Sequence, residues 1–359
     1  MILELLFAQW WILIVEALVL AGVVALLALN ADRIVGDAPR SLLSLRFSMG
    51  LTLVFMISAY VGLMILAGRL LGLGGEGLVI TATVLAFLLV AVQWLLSPFM
   101  INLAYRTRPP ENAEEQFYAS EAARLAKLSG ISPPKFVIAE VDFPNAFAYG
   151  SPISGNYVAV TRGLLRSMTR EEIIAVIGHE VGHLKHRDVT WILALSIIPL
   201  AIFFLGRALI YAGVLGGGSE ERRSSPIYLL AIGAVFIAAG VLFQFLIAHF
   251  NRLREYYADA HSALVTGNPR ALQRALARLH LIYSNNEEVS EMARENSTAS
   301  MLFIVAPLIE IHGGFFYNID YHVERLKKEK TSPIEELFAS HPPIPKRLRF
   351  LDRVALKIS

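Results

Sequence analysis

His179, Glu180 and His183 are the residues of this sequence whose types and spacing most clearly predict chemistry. They form the pattern H-E-x-x-H at the end of an apolar segment that is typical of a helix. Residues four apart lie one turn apart on the same helix face, so both imidazoles can point at one metal ion. Glu180 lies beside them, where its carboxylate can act as a base toward water. The pattern is typical of zinc peptidases.

The composition predicts a membrane protein with a soluble part. Of the 359 residues, 55% are hydrophobic and 17% are charged, whereas soluble domains average about 45–50% apolar and about 25% charged residues. The net charge of +2 gives no indication of a nucleic-acid or acidic partner. The absence of cysteine excludes disulfides and thiolate ligands, so a metal must be bound by histidine and carboxylate.

The apolar residues are concentrated in long blocks. A helix needs about twenty mostly apolar residues to cross a bilayer. Five blocks meet this length, at about 8–29, 47–68, 77–101, 190–214 and 227–250. No basic segment precedes the first block and no small-residue cleavage site follows it, so we expect a retained span rather than a cleaved signal peptide.

These blocks divide the chain into four regions. Residues 1–101 form an N-terminal membrane region, and residues 190–250 form a membrane hairpin. Residues 102–189 and 251–359 are the two parts of one catalytic domain, the second of which supplies the third metal ligand. The predicted fold is a mainly α integral membrane protein with about five spans and a zincin-like α+β domain, built from a small sheet and the H-E-x-x-H helix.

The polar regions contain the local patterns of that sheet and its helices. Three β-rich segments are predicted as strands: 135–140, 145–150 and 156–160. The capping box at 169–172 predicts the start of the helix that carries H-E-x-x-H. Amphipathic patterns predict further helices at 112–129 and 269–284.

Basic residues predict which side of the membrane carries the catalytic domain. Five spans place the 30–46 loop on the same side as both catalytic parts. The arginines near the membrane on that side are Arg33, Arg40, Arg46, Arg106, Arg108, Arg252 and Arg254. Because cytoplasmic loops are enriched in Lys and Arg, this side is predicted to face the cytoplasm. Arg222 and Arg223 lie on the opposite side and count against this orientation.

A catalytic zinc ion usually has three protein ligands and one position for water. The third histidine of H-E-x-x-H-x-x-G-x-x-H zincins is missing here, because Val189 occupies its position. Glu255 is the predicted third ligand. It lies about five residues after the fifth span, and His183 about seven before the fourth, so both are within about 10 Å of one membrane surface.

Two alternatives remain open for the ligand set. His186 follows the motif near the same helix face, and it is either a rival ligand or a surface residue at the helix end. Glu255 and Asp259 lie four apart on one helix face. They are either carboxylates of the metal site or partners of Arg252 and Arg254 on a solvated face.

Further motifs occur in a characteristic order around these residues. They are Asn145-Ala-Phe-Ala148, His179-Glu-Val-Gly-His183 with Asp188, Arg254-Glu-Tyr-Tyr-Ala-Asp259, and Ser340-His-Pro-Pro343 with Arg347. Together they resemble the HtpX family of integral-membrane zinc metallopeptidases over residues 95–359. That family is related to the CAAX prenyl proteases and to a mitochondrial inner-membrane peptidase. Two features differ from the familiar bacterial form: three predicted spans precede the catalytic domain instead of two, and Tyr149 stands where the family often has a smaller polar residue.

The resemblance and the residues agree on the roles expected at the metal. Glu180 is expected to accept a proton from the attacking water and to pass it to the leaving amine. Asp259 lies one turn beyond Glu255 and is the candidate acceptor for the N–H of a metal-binding histidine. Asp188 is a weaker candidate for the same role.

Asn145 and His341 are predicted to act on the substrate. Asn145 lies on a strand to which an extended peptide can add through main-chain hydrogen bonds, with the Asn amide holding a substrate backbone group. By spacing alone, Asn145 is an ordinary turn residue. The resemblance implies that His341 stabilises the oxyanion, although a lone His before Pro is more often structural. Arg347 is a candidate for positioning His341 or a carboxylate.

The predicted function is that of a zinc endopeptidase with one zinc ion per chain. It is expected to cut membrane or misfolded proteins at the cytoplasmic face of the cell membrane, in protein quality control. Its predicted partners are protein substrates and the lipid bilayer; the sequence indicates no oligomeric state. Histidine and carboxylate ligands also suit other divalent metals.

Two other functions are weighed against this one. A CAAX-type protease would act on prenylated C-termini, but five spans are too few for the large intramembrane chamber of that family. A non-catalytic membrane protein would hold a structural metal or none. That function does not explain why Glu180 lies beside a set of only three ligands, since a structural zinc ion usually has a fourth protein ligand.

Overall fold

The computed structural model describes residues 75–186, 188–215, 226–285, 318–332 and 341–358, together with Glu336, Ala339 and single positions between 49 and 63. The predicted span 8–29 and most of 47–68 lie outside this part of the chain. The chain divides into two compact units. One contains the described residues up to Val92 and Ile192–Phe250; the other contains Gln93–Trp191 and the described residues from Asn251 onward.

The described elements follow one another in a helix-rich order. They are α1 (Gly75–Ala104), α2 (Ala113–Leu128), β1 (Lys135–Ala139), β2 (Ala146–Ser151), β3 (Gly155–Thr161), α3 (Arg162–Ser167), α4 (Arg170–Lys185), α5 (Asp188–Leu215), α6 (Pro226–Thr266), α7 (Pro269–Asn285), α8 (Ile319–Leu326) and α9 (Ile344–Ile358). The predicted strands, the H-E-x-x-H helix and both amphipathic helices are confirmed.

Helices α1, α5 and α6 are long and apolar enough to cross a membrane, and the protein is accordingly a membrane protein. The parts of these helices that contain a sufficiently apolar stretch are Val79–Ala104, Ala194–Val214 and Ile227–Thr266. They correspond to the predicted spans 77–101, 190–214 and 227–250. Helix α6 continues beyond its apolar part as the predicted polar helix, without a break before Thr266.

Within the first unit, α5 and α6 approach closely at two glycines. A Cβ atom added to Gly206 would lie 3.0 Å from the carbonyl oxygen of Gly233. A Cβ added to Gly233 would lie 2.8 Å from the carbonyl oxygen of Gly206. Small residues at a helix interface allow such close approach of backbones, which is common between membrane helices.

The second unit contains a three-stranded sheet with β3 in the middle. The strand order is β1-β3-β2, with β1 parallel and β2 antiparallel to β3. Strand β2 is therefore an edge strand among the described residues. Helix α4 packs against β2, α2 and α7, and residues of the sheet and these helices, such as Phe147, Val160 and Ile177, form one core.

The N-terminus of α4 is held by the predicted capping box. The Thr169 side chain accepts from the backbone N–H of Glu172, and the Glu172 carboxylate accepts from the backbone N–H of Thr169. The buried Glu172 carboxylate also accepts two hydrogen bonds from Arg278 of α7, at 3.0 and 3.1 Å. One side chain thus caps α4 and joins it to α7.

Candidate active site

Helix α4 places His179, Glu180 and His183 together in the interior of the second unit. All three are buried, and the Nε2 atoms of the two histidines are 3.1 Å apart. One nitrogen of each histidine and one oxygen of Glu180 lie within 4.8 Å of one another. The helical spacing of the motif therefore brings two imidazoles and a carboxylate to one point.

Helix α6 brings Glu255 to the same point. Its Oε2 atom is 3.5 Å from His179 Nε2, and its Oε1 atom is 3.5 Å from His183 Nε2. Two ligand atoms bound tetrahedrally at about 2.0–2.2 Å from a zinc ion lie about 3.3–3.6 Å apart. The spacing and chemistry of these three donors thus fit a zinc ion.

Two glycines of α4 allow α6 to come this close. A Cβ added to Gly182 would lie 3.2 Å from the Cα atom of Ala258. A Cβ added to Gly178 would lie 3.1 Å from the hydroxyl oxygen of Ser262. Because these glycines immediately precede His179 and His183, the helices touch next to the residues that must reach Glu255.

Asp259 orients His179 from the far side of its ring. Its Oδ1 atom is 3.0 Å from His179 Nδ1. When Nδ1 donates its proton to Asp259, Nε2 keeps a lone pair directed toward His183 and Glu255. This is the arrangement expected of a metal-binding histidine and the carboxylate behind it.

Arg347 of α9 balances the charge of the two α6 carboxylates. Its guanidinium donates to both Asp259 oxygens, at 2.8 and 2.6 Å, and its Nη1 atom is 3.2 Å from Glu255 Oε2. Arg347 and Asp259 are fully buried, and Glu255 is nearly so. A solvated face for Glu255 and Asp259, the alternative left open by the sequence, is therefore excluded.

The neighbouring arginines have hydrogen-bond acceptors of their own. Arg254 donates to the side-chain oxygen of Asn251 at 3.1 Å. Arg252 donates to the carbonyl oxygens of Glu336 and Ala339, at 3.0 and 2.8 Å. Arg252 thereby holds the chain shortly before His341.

His341 lies at the edge of the proposed metal site. Its Nε2 atom is 3.9 Å from Glu255 Oε1, and its side chain is buried. Burial lowers the pKa of His341 to about 4, so the imidazole is neutral at pH 7. A neutral imidazole retains one N–H donor.

Burial shifts the pKa values of the two neighbouring α4 residues. Burial disfavours a charged His179, but the hydrogen bond to Asp259 and the nearby Glu255 outweigh it and raise the pKa of His179 to about 9. Burial raises the pKa of Glu180 above its ordinary value. A raised pKa suits a carboxylate that must hold a proton during a reaction.

Three other predicted residues belong to neighbouring parts of the fold. Asn145 is buried just before β2, where its backbone bonds to Thr161 at 2.8 and 3.0 Å. Asp188 begins α5, and its side chain lies outside the described part of the chain. His186 caps the end of α4, as a residue at the helix end, and is half-buried; its ring centroid lies 3.8 Å from that of Tyr257.

Sequence reasoning missed the glycines and the specific role of Arg347. The Gly-x-x-x-Gly spacing of Gly178 and Gly182, offset by one residue from the two histidines, was the signal for close helix contact. From the sequence alone, Arg347 is only a candidate for positioning His341 or a carboxylate. The structure pairs it with Asp259 and Glu255.

Comparisons with known proteins identify relatives of this chain. The model of peptidase family M48 matches residues 112–355. The protease HtpX homolog of Aeropyrum pernix is 57% identical over 314 residues, covering 86% of this chain and 98% of the relative. The protease HtpX homolog 2 of Saccharolobus solfataricus is 40% identical over 289 residues, covering 78% of this chain and 87% of the relative.

A solved structure is also similar at low identity. The crystal structure of S. mikatae Ste24p matches with a TM-score of 0.44 and 17% identity, over 96% of this chain and 66% of that one. The family of this chain is assigned from the family model and from the HtpX relatives. It belongs to peptidase family M48, as a metallopeptidase of the HtpX type.

Proposed function

We propose that this protein is a zinc-dependent endopeptidase with one zinc ion per chain, bound by His179, His183 and Glu255. The convergence of these three donors within 3.1–3.5 Å is the observation that carries the proposal. Glu180 is placed beside them as a fourth polar group. A three-ligand set with an adjacent carboxylate suits a catalytic metal better than a structural one.

The residues of the site have complementary roles. When bound, zinc supplies a Lewis acid that polarises the scissile carbonyl and acidifies water. Glu180 accepts a proton from the attacking water and delivers it to the leaving amine. His341 donates its N–H to the oxyanion that forms on the scissile carbonyl. Asp259 fixes the tautomer and orientation of His179, and Asp188 remains a weaker candidate for that role.

The substrate is an extended peptide that adds to the edge strand β2. Among the described residues β2 pairs only with β3, so no strand covers its other edge there, and an extended peptide can add to an edge of this kind. The Asn145 amide steadies a substrate backbone group at the start of this strand. Residues 102–189 and 251–359 together form the catalytic domain.

The catalytic domain faces the cytoplasm at the cell membrane and cuts membrane or misfolded proteins in quality control. The distribution of arginines between the loops supports this orientation. Helix α6, which carries Glu255, also contains an apolar segment long enough to cross a membrane, which supports substrates cut near the bilayer. The CAAX-type and non-catalytic alternatives are less favoured, because the relatives named above are HtpX protease homologs.

Metal analysis and a protease assay test the chemistry. We would purify the full-length protein in detergent, measure bound zinc, and assay cleavage of an unfolded protein by wild type, Glu180→Gln and Glu255→Ala. About one zinc ion is expected in wild type and Glu180→Gln, with cleavage only by wild type, and no zinc in Glu255→Ala. Substitution of the exposed Glu329 by Gln is the control and should change neither readout.

Two results would contradict these assignments. Equal cleavage by Glu180→Gln and wild type would exclude Glu180 as the base. Stoichiometric zinc in Glu255→Ala would place the third ligand elsewhere and make His186 the next residue to test.

The absence of cysteine makes the orientation directly measurable. Single cysteines introduced as Lys330→Cys and Ser219→Cys can be labelled with a membrane-impermeant maleimide. In intact cells only the Ser219→Cys protein should react, and Lys330→Cys should react after permeabilisation. The reverse pattern would invert the proposed orientation.

A further inference from the structure

The backbone of β2 has a defined set of groups on its free edge. Thr161 donates its backbone N–H to the carbonyl of Asn145 at 3.0 Å, so these residues form a hydrogen-bonded pair with β3. Such pairs alternate along antiparallel strands, and every second residue directs its N–H and C=O away from the partner. Ala146, Ala148 and Gly150 are therefore the residues that face the free edge.

Contacts at two of these residues agree with this alternation. The backbone amide of Ala148 hydrogen-bonds to the carboxylate of Glu180. The indole N–H of Trp94 donates to the carbonyl oxygen of Gly150 at 3.1 Å. Ala148 thus lies beside the proposed catalytic base, and the carbonyl of Gly150 is already bonded to the Trp94 side chain.

A second contact holds α1 beside β2. The hydroxyl of Tyr149 donates to the side-chain oxygen of Asn102, which also accepts from Thr107 at 2.8 Å. Asn102 lies eight residues after Trp94, or about 12 Å along the helix. The Tyr149 ring stacks on Tyr157 with centroids 4.9 Å apart, so the side chain is fixed at both ends. These contacts explain why a residue as large as Tyr149 fits at this position, where the family often has a smaller polar residue.

We propose that Trp94 is a specificity-determining residue that closes the peptide-binding edge of β2 at Gly150. The inference rests on the proposed function and specifies its substrate as an extended peptide that pairs with Ala146 and with the backbone carbonyl of Ala148, but not with Gly150, because the Ala148 amide is bonded to Glu180. Strand residues are spaced about 3.3 Å apart, so Gly150 lies about 7 Å beyond Ala148. On one side of the scissile bond, the extended part of the substrate is therefore limited to about two residues.

Peptide-length series test this limit. A fluorogenic core peptide that wild type cleaves is lengthened one residue at a time with alanine, separately at its N- and C-terminus. Each residue paired with β2 should raise kcat/KM about threefold to tenfold. In wild type the rise should stop about two residues from the scissile bond on one side and continue further on the other.

Two substitutions identify Trp94 as the cause of the limit. In Trp94→Leu, which suits an apolar helix, kcat/KM should continue to rise for at least two more residues on the limited side only. Trp94→Phe keeps an aromatic ring beside Gly150 and should keep the wild-type limit. Both variants should bind zinc stoichiometrically and still cleave the core peptide, so that the dependence of kcat/KM on peptide length can be measured in each.

The outcomes separate this inference from the proposed function. If Glu180→Gln cleaves the core peptide like wild type, the proposed function fails. If the core is cleaved normally but Trp94→Leu keeps the wild-type limit, the role of Trp94 is overturned. Should Trp94→Leu fail to fold, the wild-type series decides: a continued rise on both sides would overturn the inference.

Discussion

The two helices that meet at the site contribute different kinds of metal-binding side chain. Helix α4 supplies the imidazoles of His179 and His183, which bind a metal in their neutral form. Helix α6 supplies the carboxylates of Glu255 and Asp259, both buried. Buried carboxylates need a cation close by, because removing charge from water is costly. Arg347 of α9 meets this need with contacts of 2.6–3.2 Å.

The α4 half and the α6 half of the site therefore have different structural requirements. The α4 half depends on helix geometry. The spacing of four residues places both imidazoles on one helix face, and the glycine before each histidine lets that face approach α6. The α6 half depends on charge balance with a third helix. We therefore expect changes in the α6 half to affect folding as well as metal binding, and changes in the α4 half to affect mainly the metal.

Loss of Arg347 should have the largest effect on stability. Arg347→Met leaves Asp259 and Glu255 without their cation, and breaking a buried ion pair costs about 3–5 kcal/mol of unfolding free energy. Denaturant titration in detergent measures this loss. Arg349→Met, on the same helix, should cost far less. Adding Asp259→Asn to Arg347→Met should recover part of the loss; an equal loss in single and double variants would contradict the charge-balance explanation.

Neutralising Asp259 should weaken metal binding as well as folding. Asp259→Asn keeps an oxygen that accepts from His179 Nδ1 but removes the charge behind the imidazole. Zinc affinity should fall about 10–100-fold, as for other carboxylates that support a ligand histidine. Competition with a chelator measures the affinity, with Asp320→Asn as a distant control. An unchanged affinity would show that Asp259 serves Arg347 alone.

Metal binding should depend on pH through His179. The pKa of this residue is about 9 in the metal-free fold, so below that pH a proton must leave before a metal binds. Apparent zinc affinity should therefore rise about tenfold per pH unit as the pH increases toward 9. The proton stabilises the metal-free fold fully below the unfolded pKa of about 6.5, and this contribution is lost as the pH rises through 9. Chelator competition between pH 6.5 and 8.5 measures the slope, and a flat profile would contradict the assignment.

A methyl group between the two halves should have the smallest effect. In Gly182→Ala the new Cβ would lie 3.2 Å from Ala258 Cα, so α4 and α6 must move apart slightly. Overpacking costs about 1–3 kcal/mol, and the gain in helix propensity returns about 1 kcal/mol. Zinc affinity should fall several-fold with little loss of stability. Gly77→Ala, with nothing within 4 Å, is the control; an equal response in both would show that the interface tolerates separation.

The α4 half of the site could be predicted from sequence because its information is local. H-E-x-x-H and the capping box each occupy a few consecutive residues, and the strands follow from short β-rich runs. Glu255 could be predicted because a membrane hairpin, as expected from the sequence, would return the chain to the same membrane surface. The contacts of Arg347 with Asp259 and of Trp94 with Gly150 join residues 88 and 56 positions apart. No periodicity marks such pairs, since they depend on how separate helices pack.

Glu172 has a consequence for how this sequence can change over evolutionary time. A glutamine at this position would still cap α4, because the capping box accepts either residue. It would leave Arg278 without a negative partner, since Arg278 binds both oxygens of the carboxylate. Substitutions at 172 and 278 should therefore arise together in descendants of this sequence, although the two residues lie in different helices and neither touches the proposed metal ligands in the contacts described.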